Sequence, residues 1–221
     1  MSRKEDKVGI LSENRPEWSM ADWTCAHFNM VSVPVYHTSM QRQISYILHH
    51  AECKVVFVST KELAQKLVPL KHDLPALQYI ILMEDTGFDD KWILPFSELL
   101  KTGDKEMDRS KISMQEIADK IQPDDLWSII YTSGTSGVPK GVMLSHFNIA
   151  ANIQQTQALA NFKRNKRWLS FLPLSHSLER DHLFVQLLDR WRDLLRGKHR
   201  QSGGKHERGQ TAVHDRCAPP S

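Results

Sequence analysis

The sequence predicts an α/β fold built on a parallel sheet with helices on both faces. Three observations carry this. Short apolar runs alternate with stretches of helical period, the pattern of βαβ units. Several runs are uniform in Val, Ile and Leu, as expected of strands covered on both sides. Glycine, proline and small polar residues punctuate the junctions.

Strands are expected near 8–11, 32–35, 54–58, 79–83, 126–131, 141–144 and 168–172, and helices over 16–28, 41–49, 61–67, 147–161 and 178–187. Pro16 suits a first helical turn, and Ser145 is placed to cap the helix after it. Residues 94–122 read as a short helical excursion with charged turns, ending at Pro123-Asp124-Asp125.

A chain of 221 residues can bury a real core. The charged fraction of 25% is ordinary. No apolar run reaches the roughly 20 residues of a membrane span, and no h-region follows Met1, so no secretory signal is expected. Cys25, Cys53 and Cys217 fit no disulfide or zinc spacing, so inert thiols in a reducing cytosol are the simplest reading. The net charge of +3 comes from the C-terminus, where eight Lys/Arg face four acids from Asp189 onward. The basicity therefore does not describe a nucleic-acid face on the folded body.

The most informative segment runs from Tyr131 to His146. Thr132 to Val138 are all small or backbone-permissive, and Lys140 follows. Glycines let successive N–H groups converge on one concavity. The hydroxyls of Thr132, Ser133, Thr135 and Ser136 add donors, and Lys140 adds a charge. Such a surface suits a polyphosphate. A Walker A loop is excluded residue by residue: Pro139 precedes the lysine, Gly141 follows it, and a strand rather than a helix comes next.

The run Thr132-Ser133-Gly134-Thr135-Ser136-Gly137-Val138-Pro139-Lys140-Gly141 resembles the phosphate loop of the AMP-forming adenylate synthetases, which include acyl-CoA synthetases, luciferases and peptide-synthetase adenylation domains. Resemblance extends over roughly 8–188. It includes the segment from Val8 to Trp18, the strand–helix unit around 31–48, and Phe171-Leu172-Pro173-Leu174-Ser175-His176-Ser177, which is similar to the segment lining the acyl pocket. Leu178-Glu179-Arg180 has the flavour of long-chain fatty acyl-CoA synthetases.

The resemblance implies part of the doubly wound sheets of that family's large N-terminal domain. It implies a two-step reaction: a carboxylate is adenylated by ATP with magnesium, then transferred to coenzyme A as a thioester. Thr132, Ser133, Gly134, Thr135, Ser136, Gly137 and Lys140 would bind the nucleotide. His176 would steer the carboxylate or pack beside the adenylate, or be a histidine satisfied by nearby backbone. Trp168 and Phe171 read as core before acyl-tunnel wall. Glu179-Arg180 reads either as part of the long-chain signature or as a solvated helix turn, and His49-His50 as a surface helix end. No protein ligand set for a metal is expected. The partners implied are a fatty acid, ATP and coenzyme A, with no nucleic acid. A cytoplasmic setting is expected, with peripheral membrane attachment of the full enzyme left open. An aryl- or amino-acid-activating enzyme is the alternative.

Departures matter as much. No Tyr-Gly-x-Thr-Glu segment, later ribose-binding Asp or C-terminal domain with its catalytic Lys is present. From Arg190 the apolar periodicity lapses. Back-translation of this tail, read one base later, allows GGAIYYAESIDKVAENMSEVRPQFMTGAP, a string similar to what should follow the acyl-pocket segment. The expectation is an adenylation-domain fragment over 1–188, and a frameshifted, disordered basic tail over 189–221. Met1 is expected to be an internal or mis-called start. Such a product would be inactive, or at most a weak nucleotide binder.

Overall fold

The computed structural model describes residues 5–84, 90–110, 113–132, 138–159, 170, 172–177, 179–180 and 183–185. All of these fall in one unit, Met1–Val185. The tail over 189–221 lies outside the described residues.

Seven strands form one sheet in the order β5-β4-β3-β1-β2-β6-β7. They are β1 (Lys7–Leu11), β2 (Val31–Val35), β3 (Val55–Val58), β4 (Tyr79–Leu82), β5 (Ile93–Pro95), β6 (Leu126–Thr132) and β7 (Lys140–Ser145). All neighbours are parallel except β6 and β7, which pair antiparallel. Central β1 sets Gly9 opposite Val33 of β2 and Val56 of β3. The expected βαβ organisation is present, and a hairpin closes one edge.

Helices cover both faces. Side chains alternate along β1, as strand geometry requires. Ile10 packs with Trp18 and Ala21 of helix α1 (Pro16–His27). Leu11 joins the larger cluster with Ile44 and Leu48 of α2 (Gln41–His50) and Leu63 and Leu67 of α3 (Lys61–Leu67). Pro16 opens α1, where its missing N–H costs nothing. The buried stripe of α1 is Trp18, Ala21, Asp22 and Cys25, the i, i+3, i+4, i+7 spacing of one helix face. An acid in that stripe, fully buried, is the first sign that something charged must meet it.

β2 is buried at every residue and contains Pro34. Proline lacks a ladder donor. Its register with β6 is at Ser32 opposite Ser128, ahead of Pro34.

Residues 94–122 depart from expectation. A fifth parallel strand, β5, comes first, followed by α4 (Phe96–Ser110) and α5 (Met114–Ala118). β5 is only three residues long and ends in Pro95; an edge position tolerates the missing donor. A 3-10 helix, Val68–Asp73, also follows α3 directly. Of the strand expected over 168–172, only Ser170 and Leu172 are described, and neither is in a strand. Trp168 and Phe171 lie outside the described residues.

Candidate functional site

β6 runs parallel to β2, so Thr132 emerges at the carboxyl ends of the parallel strands. In open α/β sheets that is where ligands bind. β7 returns antiparallel and sets Lys140 directly opposite Thr132. Both side chains are exposed. Ser133, Gly134, Thr135, Ser136 and Gly137 join them and lie outside the described residues. The strand after Lys140, expected from the sequence, is what separates this loop from a Walker A loop.

Helix α6 (His146–Leu159) begins only after β7. Ser145 caps it: its Oγ accepts from the Asn148 N–H at 3.2 Å, and Asn148 Oδ1 accepts from the Ser145 N–H at 3.0 Å.

The hairpin foot is tied to α2. The Tyr131 hydroxyl and His50 Nδ1 are hydrogen-bonded at 2.7 Å, and Tyr46 stacks on His50 at 5.4 Å between ring centroids. Burial pushes the Tyr131 hydroxyl up to about 12, with Cys53 and Tyr46 adding to the effect, so the phenol stays protonated. His49 and His50 are exposed at the end of α2, as expected. The bond to Tyr131 was not legible, because its partner lies 81 residues away. His49 lines a cleft of about 610 Å³ with Arg42, Tyr46 and His72.

The second part of the site is the 172–180 segment. Asn14, just beyond β1, clamps its start. Asn14 Nδ2 donates to the Leu172 carbonyl at 2.7 Å and to Ser170 Oγ at 3.1 Å, and Asn14 Oδ1 accepts from the Leu174 N–H at 2.8 Å. Leu174 is buried against Ile10, Trp18 and Ala21. His176 is exposed, and its N–H donates to the Pro173 carbonyl at 2.8 Å.

Arg180 corrects the solvated-turn reading. It is 2% exposed. Its Nε and one terminal nitrogen hold the Asp22 carboxylate at 2.9 and 2.5 Å. Its terminal nitrogens also donate to Ser128 Oγ at 2.8 Å and Ser32 Oγ at 3.1 Å. The rings of Trp18, Trp127 and Phe184 surround it, with centroids 5.8–5.9 Å from the guanidinium carbon.

The structure thus brings Thr132 and Lys140 together across one strand pair and joins the His176 segment to the same strand, β6, through Arg180 and Ser128. The described hairpin residues offer a hydroxyl and an ammonium but no carboxylate, which fits phosphate oxygens and not a magnesium ion. Among the described residues no cluster of three or more His, Cys, Asp or Glu could hold a metal, and no helix is long and apolar enough to cross a membrane.

Comparison with known proteins agrees with this geometry. The family model for AMP-binding enzymes matches residues 2–190. Mouse long-chain-fatty-acid–CoA ligase 6 is 35% identical over 194 residues, covering 80% of this chain and 26% of that protein. The peroxisomal long chain acyl-CoA synthetase 7 of Arabidopsis thaliana is 32% identical, covering 79% of this chain and 25% of its own. The chain therefore spans about a quarter of the length of these curated relatives. A solved long-chain-fatty-acid-CoA ligase from Archaeoglobus fulgidus superposes with a TM-score of 0.62 at 23% identity, over 84% of this chain and 34% of that one, and shares the fold. On the strength of the family model matched over residues 2–190 and of relatives more than 30% identical over about four fifths of the chain, the chain belongs to the AMP-binding enzyme family.

Proposed function

We propose that this chain is the N-terminal part of a long-chain fatty acid–CoA ligase. The observation that carries the reading is the hairpin: a Gly/Ser/Thr loop leaves β6 at Thr132 and returns beside the ammonium of Lys140. The names of the curated relatives and the Leu178-Glu179-Arg180 signature favour long-chain fatty acids over aryl or amino acids.

In the whole enzyme, a fatty carboxylate attacks the α-phosphorus of ATP, pyrophosphate leaves, and the acyl-adenylate is taken by the thiol of coenzyme A, releasing AMP. Magnesium supplies charge neutralisation on the nucleotide. The task of this chain's residues is to hold the charge that builds on departing pyrophosphate. Thr132, Ser133, Gly134, Thr135, Ser136 and Gly137 donate from backbone and hydroxyls, and Lys140 adds a positive charge. His176 sits on the acyl segment and steers the carboxylate.

No Tyr-Gly-x-Thr-Glu segment occurs among these 221 residues, so on this reading they do not complete the reaction alone. A frameshift near the Asp189 codon accounts for the change in composition. The end of the family match at residue 190 supports it.

The locus should show a second frame running on to Tyr-Gly-x-Thr-Glu; immediate stop codons there would sink the frameshift. Purified chain with ATP, magnesium, palmitate and coenzyme A should give no palmitoyl-CoA and no acyl-adenylate, whereas the frame-restored protein should give palmitoyl-CoA and AMP. Acyl-adenylate made by the 221-residue chain would overturn the truncation reading. A restored protein that activates only aryl or amino acids would overturn the substrate reading.

A further inference from the structure

We infer that Arg180 is a positioning residue, one that mounts the 172–180 segment on the strand bearing the phosphate loop. The inference rests on the ligase reading for what is positioned, and on the geometry for how.

Arg180, Asp22, Ser32 and Ser128 are all at most 2% exposed. A buried ion pair is a poor device for stability, because well-packed apolar residues of similar volume commonly do as well. It is a good device for direction. A guanidinium is a rigid planar fork whose donors must be met in fixed geometry. Here the described partners come from three elements: Asp22 on α1, Ser32 on β2 and Ser128 on β6. The two serines are also bonded to each other, and Ser128 Oγ donates to the Ser32 carbonyl at 3.0 Å. One side chain therefore joins the acyl segment to the helix and to two adjacent strands.

The register then passes outward in both directions. Along β6, Ser128 and Thr132 lie on one continuous strand that ends at the phosphate loop. Along the segment, the Arg180 N–H donates to the His176 carbonyl at 3.3 Å and the His176 N–H donates to the Pro173 carbonyl. Asn14 holds the other end. His176 is thus suspended between two clamps, and the Arg180 clamp is the one fixed to β6. A lysine at this position would keep the charge beside Asp22, but a single ammonium cannot span Asp22 and both serines.

Hydrogen–deuterium exchange on the purified 221-residue chain tests this. Arg180→Lys should keep the melting temperature within a few degrees of the parent, yet speed exchange of the amides at 174, 176 and 180 at least tenfold. Amides of β3 and β4 should keep their parent rates. Ser128→Ala, which leaves the ion pair intact and so should fold, is expected to speed the same three amides severalfold while the amides of β3 and β4 keep their parent rates. Unchanged exchange at 174 and 176 in Ser128→Ala and in any folded Arg180→Lys overturns the proposal, as does equal acceleration across β3 and β4. The measurement needs neither nucleotide nor fatty acid. A missing ligase activity would therefore remove the reaction while leaving the mount, and a failed exchange result would do the reverse.

Discussion

Replacing Gly141 with alanine adds one methyl group in the β6–β7 hairpin, and the structure says where it goes. The new Cβ would lie 2.8 Å from Ile129 Cγ2 and 3.2 Å from Tyr131 Cζ. Neither neighbour yields freely. Ile129 is buried and β-branched, and the Tyr131 ring is tethered at its hydroxyl to His50 at 2.7 Å. Overpacking of this kind costs about 1–3 kcal/mol. Alanine stiffens the unfolded chain and returns roughly 0.4–1 kcal/mol. The net expectation is a loss of about 1–2 kcal/mol. The cause is checked by cutting the tether. Tyr131→Phe alone should cost about 1 kcal/mol for the lost hydrogen bond. In that background the ring can swing, so Gly141→Ala should cost at least ~0.5 kcal/mol less than in the parent. Urea unfolding followed by tryptophan fluorescence reads both effects. A Gly141→Ala chain as stable as the parent, or strict additivity with Tyr131→Phe, would refute the reasoning.

Three further outcomes are expected. Lys140→Ala should leave stability within about 1 kcal/mol, since the side chain is exposed. In the whole ligase of the proposed function it should lower kcat/KM for ATP about tenfold or more, the worth of a charge-assisted contact; unchanged ATP kinetics would remove Lys140 from the proposed site. In a Cys217→Ser background, Cys25 and Cys53 should react with a thiol reagent at pH 8 only as fast as the chain opens, because burial raises both thiols, Cys53 to about 12; rapid labelling under native conditions would contradict their burial. Burial against Trp127 lowers the pKa of His146 despite nearby Asp125. The unfolded chain therefore binds the proton more readily, and stability should fall as pH drops through the ordinary histidine range near ~6.5. His146→Phe should flatten that part of the profile, as read by melting temperature against pH.

The fold was legible where local pattern decides. Strands β3 and β4 announce themselves by unbroken apolar runs, β1, β2 and the hairpin strands by short apolar runs interrupted by glycine, serine or proline, and α1 by Pro16 and the spacing of its apolar residues. β5 was missed because three residues ending in proline carry almost no strand signal; its place is set by β4, against which Ile93 and Leu94 pair. The hairpin that places Thr132 opposite Lys140 was legible because a strand-like run, small residues and a second apolar run follow one another in consecutive residues. Arg180 was not, because its meaning depends on Asp22, 158 positions earlier. The available hint was the acid itself, set among Trp18, Ala21 and Cys25 on an apolar helix face with no nearby cation to explain it.

The long reach between β2 and β6 also orders the assembly of the molecule. The first five strands are joined by connections to near neighbours in sequence, and each can dock as it is made. β6 must find Ser32 across 96 residues, and closing such non-local contacts is slow. During synthesis, Asp22 and Ser32 are already in place when their eventual partners are still unmade. Until Arg180 arrives, the nascent α/β unit carries an acid that water must solvate, so its open edge stays wet. The segment that brings Arg180 is then the one that dries and seals α1.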